Sequence, residues 1–156
     1  MDSMEMNFNF KVEGLLEMAA TLEQLPQAAR KPILIRALKA AGAPMAERMA
    51  LDAPLDPAAD HQHLADSMTV SATNRVNGET LDDTAAAVAV GPSKDAFWGL
   101  FQEYGTVRHG AQPFARPGFD GGYEEALTIF RGEMWLEIVA NLPTSSSMAP
   151  RLRMAE

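Results

Sequence analysis

Residues 27–52 read QAARKPILIRALKAAGAPMAERMALD, the longest run of helical periodicity in this 156-residue chain. Apolar side chains recur there at spacings of three and four and form one stripe: Leu34, Leu38, Ala41, Met45 and Met49. A straight helix of this length would span about 39 Å, which is comparable with the diameter of a whole domain. Pro32 lies near the start, where a missing N–H costs little, whereas Pro44 is expected to kink or divide the helix.

Two shorter patterns precede this helix. From Met6 to Val12, apolar and polar residues alternate, which is typical of a half-buried strand. The spacing then becomes helical, and the sequence predicts a helix that ends near Pro26. Its apolar face carries Leu15, Met18, Leu22 and Leu25.

Two strands are predicted beyond a proline-rich loop at residues 53–60. They carry the alternating residues Met68, Val70 and Ala72, and Ala86, Val88 and Val90. Asn77-Gly78 lies between them and favours a two-residue hairpin turn. Such a turn would place Val70 opposite Ala85 and leave Val88 and Val90 on the other face of the sheet. We therefore predict a longer loop at residues 75–83, with Asn77-Gly78 as a bend within it.

The last third of the chain predicts two helices joined by an irregular stretch at residues 107–118. The first helix lies between Asp95 and Thr106, stops at Gly105, and carries Phe97, Leu100, Phe101 and Tyr104 at helical spacing. The second is expected to start at Asp120 as its cap, with a buried stripe of Tyr123, Leu127, Phe130, Met134 and Ile138. Together these elements predict an α+β fold, in which a small, mainly antiparallel sheet packs against the long alanine-rich helix and the C-terminal helix. We expect a single domain over residues 1–142 and a flexible tail over residues 143–156.

Composition narrows the functional classes. The chain has no cysteine, which excludes a disulfide framework, a cysteine nucleophile and a thiolate metal site. Its net charge of −8 argues against a protein that binds the phosphate backbone of nucleic acids, because such binding needs a basic face. The first residues lack the pattern of a signal peptide, and no apolar window is long enough to span a membrane. We expect a protein that is made and kept in a cytoplasm.

Few residues favour catalysis or metal binding. Asp60-His61-Gln62-His63 is the densest group of potential ligands, but it has no third histidine or second carboxylate at a ligand spacing. The adjacent pairs Asp82-Asp83 and Glu124-Glu125 diverge on any regular element, so they are poor acid/base pairs. The interpretation is no catalytic residue, no metal and no cofactor. A small metal-dependent hydrolase that uses Asp60, His61 and His63 is kept as the alternative of another class.

The most informative stretch is a pair of motifs at residues 103–106 and 112–117. Gly105 permits a positive φ where the short helix stops, and Pro113 and Pro117 stiffen the segment that displays Phe114. A stiff aromatic strip beside an arginine suits an anchor between subunits. Phe114 and Phe119 can equally fasten the loop onto the last helix, and both interpretations stay open. The candidate subunit-interface residues are Glu103, Tyr104, Gly105, Thr106, Gln112, Pro113, Phe114, Arg116 and Pro117.

These motifs carry a resemblance to a known family. The chain resembles the tail-component family of tailed bacteriophages typified by the gene-ten product of a lambdoid phage, whose members are called neck, tail-completion or head-tail joining proteins. The correspondence rests on Val12-Glu13-Gly14-Leu15-Leu16, Ala53-Pro54, His63-Leu64-Ala65-Asp66-Ser67-Met68, Glu103-Tyr104-Gly105-Thr106 and Pro113-Phe114-Ala115-Arg116-Pro117. The chain departs from the family at residues 60–63, where an aspartate or threonine with glycine is usual.

The resemblance implies a structural virion protein without an active site. Its expected place is the head-tail junction or the tail end of the particle, after assembly in the host cytoplasm. Its expected partners are copies of itself in a hexameric ring and other neck and tail proteins. A ring of acidic subunits would let DNA pass without specific binding. A tail terminator is the alternative within this class, and a small acidic adaptor that works as a monomer or dimer is a third possibility.

Overall fold

The computed structural model describes residues 15–55, 57–58 and 62–142. Four α-helices lie in this part of the chain: α1 (Leu15–Glu23), α2 (Gln27–Asp52), α3 (Gly99–Tyr104) and α4 (Ala115–Asn141). Its strands are β1 (Met68–Thr73), β2 (Arg75–Val76), β3 (Glu79–Thr80) and β4 (Ala87–Pro92). The antiparallel pair of β1 and β4 packs on the long helix α2, which confirms the predicted α+β class. The predicted strand at residues 6–12 and the predicted tail at residues 143–156 lie outside the described residues.

Helix α2 has the bounds that its periodicity predicts. It begins directly after Pro26 and continues through both Pro32 and Pro44, so Pro44 does not divide it. The side chains that are buried along it recur every four residues: Ile33, Ala37, Ala41, Met45 and Met49. Leu34 and Leu38 of the predicted stripe are only half-buried, because the fully buried row lies one residue earlier in the first half of the helix.

Helix α4 runs antiparallel to α2 and makes its main contact. Gly118 lies beside Met49 and Gly122 beside Met45, while Glu137 near the other end pairs with Arg36. A Cβ built on Gly118 would lie 2.5 Å from Cγ and 2.8 Å from the backbone nitrogen of Met49. The two helices therefore approach so closely that this position has room only for hydrogen.

The apolar interior consists of two groups of buried side chains along α2. One group lies toward the start of α2 and comprises Met18, Leu25, Ile33, Ala37, Met134 and Ile138. The other lies toward its end and comprises Ala41, Met45, Met49, Ala53, Leu64, Ala96, Phe114 and Ala126. Of the stripe predicted on the last helix, Met134 and Ile138 are buried, whereas Tyr123, Leu127 and Phe130 are half-buried.

The sheet confirms the predicted register of the two long strands. β1 and β4 are antiparallel, with Val70 opposite Val90 and Ala72 opposite Val88. The three valines therefore share one face, as the argument against a continuous hairpin required. Gly42 of α2 meets this face, since its built Cβ would lie 2.8 Å from Val70 Cγ1 and 3.0 Å from Val90 Cγ2.

The prediction for Asn77-Gly78 is wrong. These two residues form the two-residue turn of a short hairpin, in which β2 pairs with β3 and Val76 lies opposite Glu79. Asn77 has φ 51° and Gly78 has φ 85°, and positive φ at both positions is what a type I′ turn requires. The register is restored by the segment between β3 and β4, where the Asp82 carboxylate accepts hydrogen bonds from the backbone N–H groups of Thr84 (2.8 Å) and Ala85 (2.9 Å). The extra residues of this segment let a tight turn and the Val70–Val90 pairing coexist.

Candidate protein interface

The short helix α3 turns its large apolar side chains toward solvent. The sequence predicts this helix and its stop at Gly105, and the structure confirms both. Four of its neighbouring side chains are more than half exposed: Phe97 (65%), Leu100 (63%), Phe101 (52%) and Tyr104 (66%). These four residues are called the α3 surface below. Contiguous exposed apolar groups of this kind mark interaction sites more often than isolated ones do.

The opposite side of α3 explains this orientation. Gly99 and Glu103 are the buried residues of α3, and Ala96, three residues before it, is also buried. A Cβ built on Gly99 would lie 3.0 Å from Leu64 Cδ1 and 3.0 Å from Pro92 Cγ, so the helix backbone itself packs on the body of the protein. A six-residue helix that buries its small side has to expose the larger one.

Glu103 is a buried carboxylate that caps the start of α4. It is 9% exposed and accepts hydrogen bonds from the backbone N–H groups of Phe114 (2.8 Å), Ala115 (2.8 Å) and Arg116 (3.3 Å). The first N–H groups of a helix have no partner within the helix, and a negative charge there interacts favourably with the helix dipole. Glu103 therefore joins α3 to α4 by polar contacts.

The predicted start of the last helix at Asp120 is wrong. α4 begins at Ala115, and Asp120 is an exposed residue within it. The prediction missed the start because Phe114, at the cap position, makes no side-chain capping bond, and the capping carboxylate comes from a distant part of the chain. Pro117 fits the first turn since no partner for its missing N–H is needed there.

Phe114 lies inside the protein. Its side chain is 1% exposed and belongs to the apolar group around Met49, Leu64 and Ala96. The ring also lies below α3, where a Cβ built on Gly99 would be 3.6 Å from Phe114 Cζ. Phe114, directly before α4, packs beneath α3 in the interior of the protein and so stabilises the position of α3 relative to α4. Phe119 lies on α4 itself, is 41% exposed, and packs against Tyr123 with 6.2 Å between the ring centroids.

The loop between α3 and α4 forms a compact projection. Gly105 has φ 73°, and a Cβ there would lie 2.7 Å from the Ala111 backbone nitrogen. The Thr106 N–H donates to the His109 carbonyl (2.8 Å), and the Gln112 N–H donates to the Gln102 carbonyl (2.7 Å). These bonds present Val107 at the tip, where it is fully exposed.

Of the predicted interface residues, Tyr104 belongs to the α3 surface and Arg116 lies against it. The Arg116 guanidinium lies 5.8 Å from the centre of the Tyr104 ring, within reach of a cation–π interaction. Six predicted residues are exposed, Gly105 is half-buried, and Glu103 and Phe114 are buried. The exposed six are Tyr104, Thr106, Gln112, Pro113, Arg116 and Pro117. Folding thus brings the two motifs together around one helix, with two residues acting beneath the surface.

Sequence reasoning omitted Phe97, Leu100 and Phe101 from the candidate site. It interpreted them only as the apolar stripe of a short helix. The sequence did contain a signal that these three side chains face outward. Gly99 and Glu103 are four residues apart and therefore lie together on the other side of the helix. A glycine and a carboxylate there are consistent with close backbone packing and a capping contact, which leaves the large side chains outside.

The α3 surface has a basic border in an acidic protein. Between residues 94 and 116, Lys94, Arg108 and Arg116 are exposed, against one exposed carboxylate, Asp95. Lys94 lines the same groove as Phe97, Leu100 and Tyr104, and the Arg116 guanidinium lies over the Tyr104 ring. Glu103 is the other acidic residue between residues 94 and 116, and its side chain is buried. The local balance is therefore opposite in sign to the net charge of −8 that the whole chain carries.

The described ranges contain no cluster of side chains that is arranged as a metal site. Within residues 15–55, 57–58 and 62–142, no group of three histidine, aspartate or glutamate side chains is arranged to hold a metal ion. His63 is half-buried, whereas Asp60 and His61 lie outside the described residues. No helix in the described part of the chain combines the length and apolar character that a membrane crossing requires.

A contiguous exposed apolar surface on an α+β scaffold is typical of a site that binds proteins, membranes or ligands. A family model described as "Bacteriophage HK97-gp10, putative tail-component" matches residues 17–105, more than half of the chain. The chain therefore belongs to the HK97 gp10-like family of phage tail components. The match includes α3 and ends at Gly105, before the motif at residues 112–117. No curated protein and no solved structure matched the chain.

Proposed function

We propose that this chain is a structural subunit of a tailed phage particle that joins heads to tails as part of a ring. Membership of the tail-component family supports the structural role. The observation that carries the proposal further is the α3 surface, because four large apolar side chains at 52–66% exposure are costly to leave in water. Contact with a neighbouring protein would remove that cost.

Within this proposal, the nine predicted interface residues divide into two roles. Tyr104, Thr106, Gln112, Pro113, Arg116 and Pro117 are accessible and would touch the neighbour. Glu103, Gly105 and Phe114 would support them by fixing the angle between α3 and α4. The protein would have no catalytic role and no cofactor.

The ring is proposed to contain six copies and to let DNA pass without specific binding. Each copy brings a net charge of −8, and a repeated acidic surface repels the phosphate backbone. The partners would be copies of the same chain together with other neck and tail proteins of the virion. A tail terminator at the end of the tail tube is the alternative position for the same kind of ring.

The proposal can be tested by complementing a phage that lacks this gene. The double variant Leu100→Ser/Phe101→Ser removes much of the α3 surface without touching the core. The matched control is Leu136→Ser/Val139→Ser, which changes two apolar residues of α4 with similar exposure, 66% and 64%. Both proteins should unfold at the wild-type temperature.

We expect the α3 variant to leave separate heads and tails in electron micrographs, whereas the control yields joined particles. Tails of irregular length would instead indicate the terminator position. Normal particle yield from the α3 variant would overturn the proposal that this surface acts in assembly.

A further inference from the structure

A second apolar surface lies on the side of the protein where the sheet meets α4. It is an open groove of about 320 Å³ between α2, β4 and α4, within the size range of pockets that receive ligands or side chains. Its walls include Leu38, Val88, Val90, Phe119, Leu127 and Phe130. It is called the α4 groove below.

The α4 groove is unfilled by the described residues that surround it. Its floor is made of buried small or flexible residues, Ala41, Gly42, Met45 and Ala126. Its walls stay accessible, since Phe119 is 41% exposed and Leu127 and Phe130 are half-buried. The groove is therefore a concave apolar surface that can receive apolar side chains.

The part of α4 beside Phe119 and Tyr123 in the groove wall carries acidic side chains, opposite in sign to those around the α3 surface. Asp120 and Glu124 are exposed and lie one turn apart on α4, and Glu124 is one turn from Leu127 in the groove wall. Burial raises the pKa of the Tyr123 hydroxyl in this wall, and the neighbouring Glu124 charge adds to the rise. Arg131 is the exposed basic residue farther along the same helix.

We propose that the α3 surface of one copy binds in the α4 groove of the next copy, so that the chain assembles head to tail. The inference rests on the proposed function, since it names the two faces of the subunit contact in the ring. Charge complementarity selects a second copy as the occupant. Lys94, Arg108 and Arg116 around the α3 surface would face Asp120 and Glu124 beside the groove.

The same charges disfavour the symmetric alternative. If two α3 surfaces met across a twofold axis, their arginines and lysines would face one another, and like charges across an interface cost free energy. When two copies bind through two different surfaces, one copy keeps a free α4 groove and the other keeps a free α3 surface. Such a contact repeats, and it closes into a ring when the rotation between copies allows it.

Cross-linking in assembled particles tests the contact directly, because the chain has no cysteine of its own. The double variant Leu100→Cys/Leu127→Cys places one thiol on the α3 surface and one in the α4 groove. Particles are treated with a short bismaleimide, denatured, and probed with an antibody against the chain. We expect a ladder of covalent multimers that rises to the ring number.

The matched controls separate the alternatives. Leu100→Cys/Leu136→Cys moves the second thiol to an exposed site on the same helix, away from the groove, and should give no ladder. Leu100→Cys alone should stay monomeric, and a covalent dimer from it would overturn the inference in favour of a symmetric contact. Phe8→Cys/Leu127→Cys tests the segment at residues 6–12 as occupant, and a cross-link within one chain there would also overturn it.

Failure of the inference and failure of the proposed function give different results. If the chain is incorporated into particles but the Leu100→Cys/Leu127→Cys protein stays monomeric, the head-to-tail contact is wrong and the structural role stands. If no copy of the wild-type chain is found in purified particles, the proposed function itself is wrong.

Charge reversal adds a second readout: Arg108→Glu/Arg116→Glu should block joining, and adding Asp120→Lys/Glu124→Lys to the same chain should restore it. Continued failure of the fourfold variant would count against the contact.

Discussion

The contact between α2 and α4 and the α3 surface use apolar residues in opposite ways. The first is buried although the first half of α4 contributes only small residues to it, Gly118, Gly122 and Ala126. The second is exposed although it consists of large residues, with Phe101 at 52% and Leu100 at 63%. Side-chain size therefore does not decide burial in these two regions. What decides it is which face of a helix another element of the same chain can reach.

Replacement by alanine should have its most different effects on stability at the buried Phe114 and at the exposed Phe101. Phe114→Ala removes a side chain that is 1% exposed, and we expect a loss of about 3–5 kcal/mol in the free energy of unfolding. Phe101→Ala should change that free energy by about 0.5 kcal/mol or less, because the ring is already in water. Urea denaturation of both variants measures the difference. Equal losses would mean that the α3 surface is part of the folded core.

Adding one methyl group to α4 should have opposite effects on stability at the packed Gly118 and at the open Gly132. Gly118→Ala should cost about 1–3 kcal/mol, because the new Cβ would lie 2.8 Å from the backbone nitrogen of Met49 and would force the helices apart. Gly132→Ala has nothing within 4 Å of the new Cβ and should stabilise the helix by about 1 kcal/mol. The thermal midpoints should therefore shift in opposite directions. A stabilised Gly118→Ala protein would contradict the close approach of α2 and α4.

The polar link between α3 and α4 can be broken without changing side-chain shape. Glu103→Gln should cost about 1–2 kcal/mol, because an amide replaces the charge that accepts three backbone N–H groups. Asp120→Asn, at the residue that the sequence assigned to the cap, should be nearly neutral. Hydrogen exchange at Ala115 and Arg116 is the direct measurement. Faster exchange in Asp120→Asn than in Glu103→Gln would return the capping role to Asp120.

The smallest expected effect concerns the far end of the α2–α4 contact. The Arg36 guanidinium donates to both carboxylate oxygens of Glu137, with 2.7 Å between Arg36 Nε and Oε1. This pairing holds the pKa of Glu137 below its usual value and raises the pKa of Arg36. The stabilisation is present above the unfolded pKa of the carboxyl and is lost as the pH falls through the lowered folded pKa.

Glu137→Gln should accordingly lower the thermal midpoint slightly at pH 7, and the difference from wild type should disappear well below the usual glutamate pKa of about 4.3. Added salt should shrink it at neutral pH, because the pair is partly exposed. A difference that grows as the pH falls would show that the pair does not stabilise the helix contact.

Local signals predicted the elements whose ends are set by neighbouring residues. α2 begins after Pro26 and ends before Pro54, and both bounds follow from how proline restricts the chain. The start of α4 could not be found in this way, because its capping group, Glu103, lies eleven positions from Phe114. Asn77-Gly78 was misjudged for a related reason. The register argument was sound for β1 and β4, but it assumed one continuous hairpin, and the segment at residues 81–86 absorbs the offset.

The candidate site was only partly predictable for the same physical reason. The motifs at residues 103–106 and 112–117 were recognisable as stiff, aromatic and unusual, and folding does bring them together. Whether each side chain faces inward or outward depends on what covers it. Phe114 and Phe101 are chemically identical, and only the packing of α3 on Leu64 and Pro92 makes one internal and the other external.

The amino-acid sequence by itself determined the α+β class, the long helix, the register of the two main strands and the family, because these depend on periodicity, proline and residue identity along the chain. Only the folded chain shows which apolar groups stay in water, where α4 begins, and that an exposed aromatic surface and an apolar groove occur together in it. Those properties depend on distances between residues far apart in the chain, and periodicity carries no information about such distances.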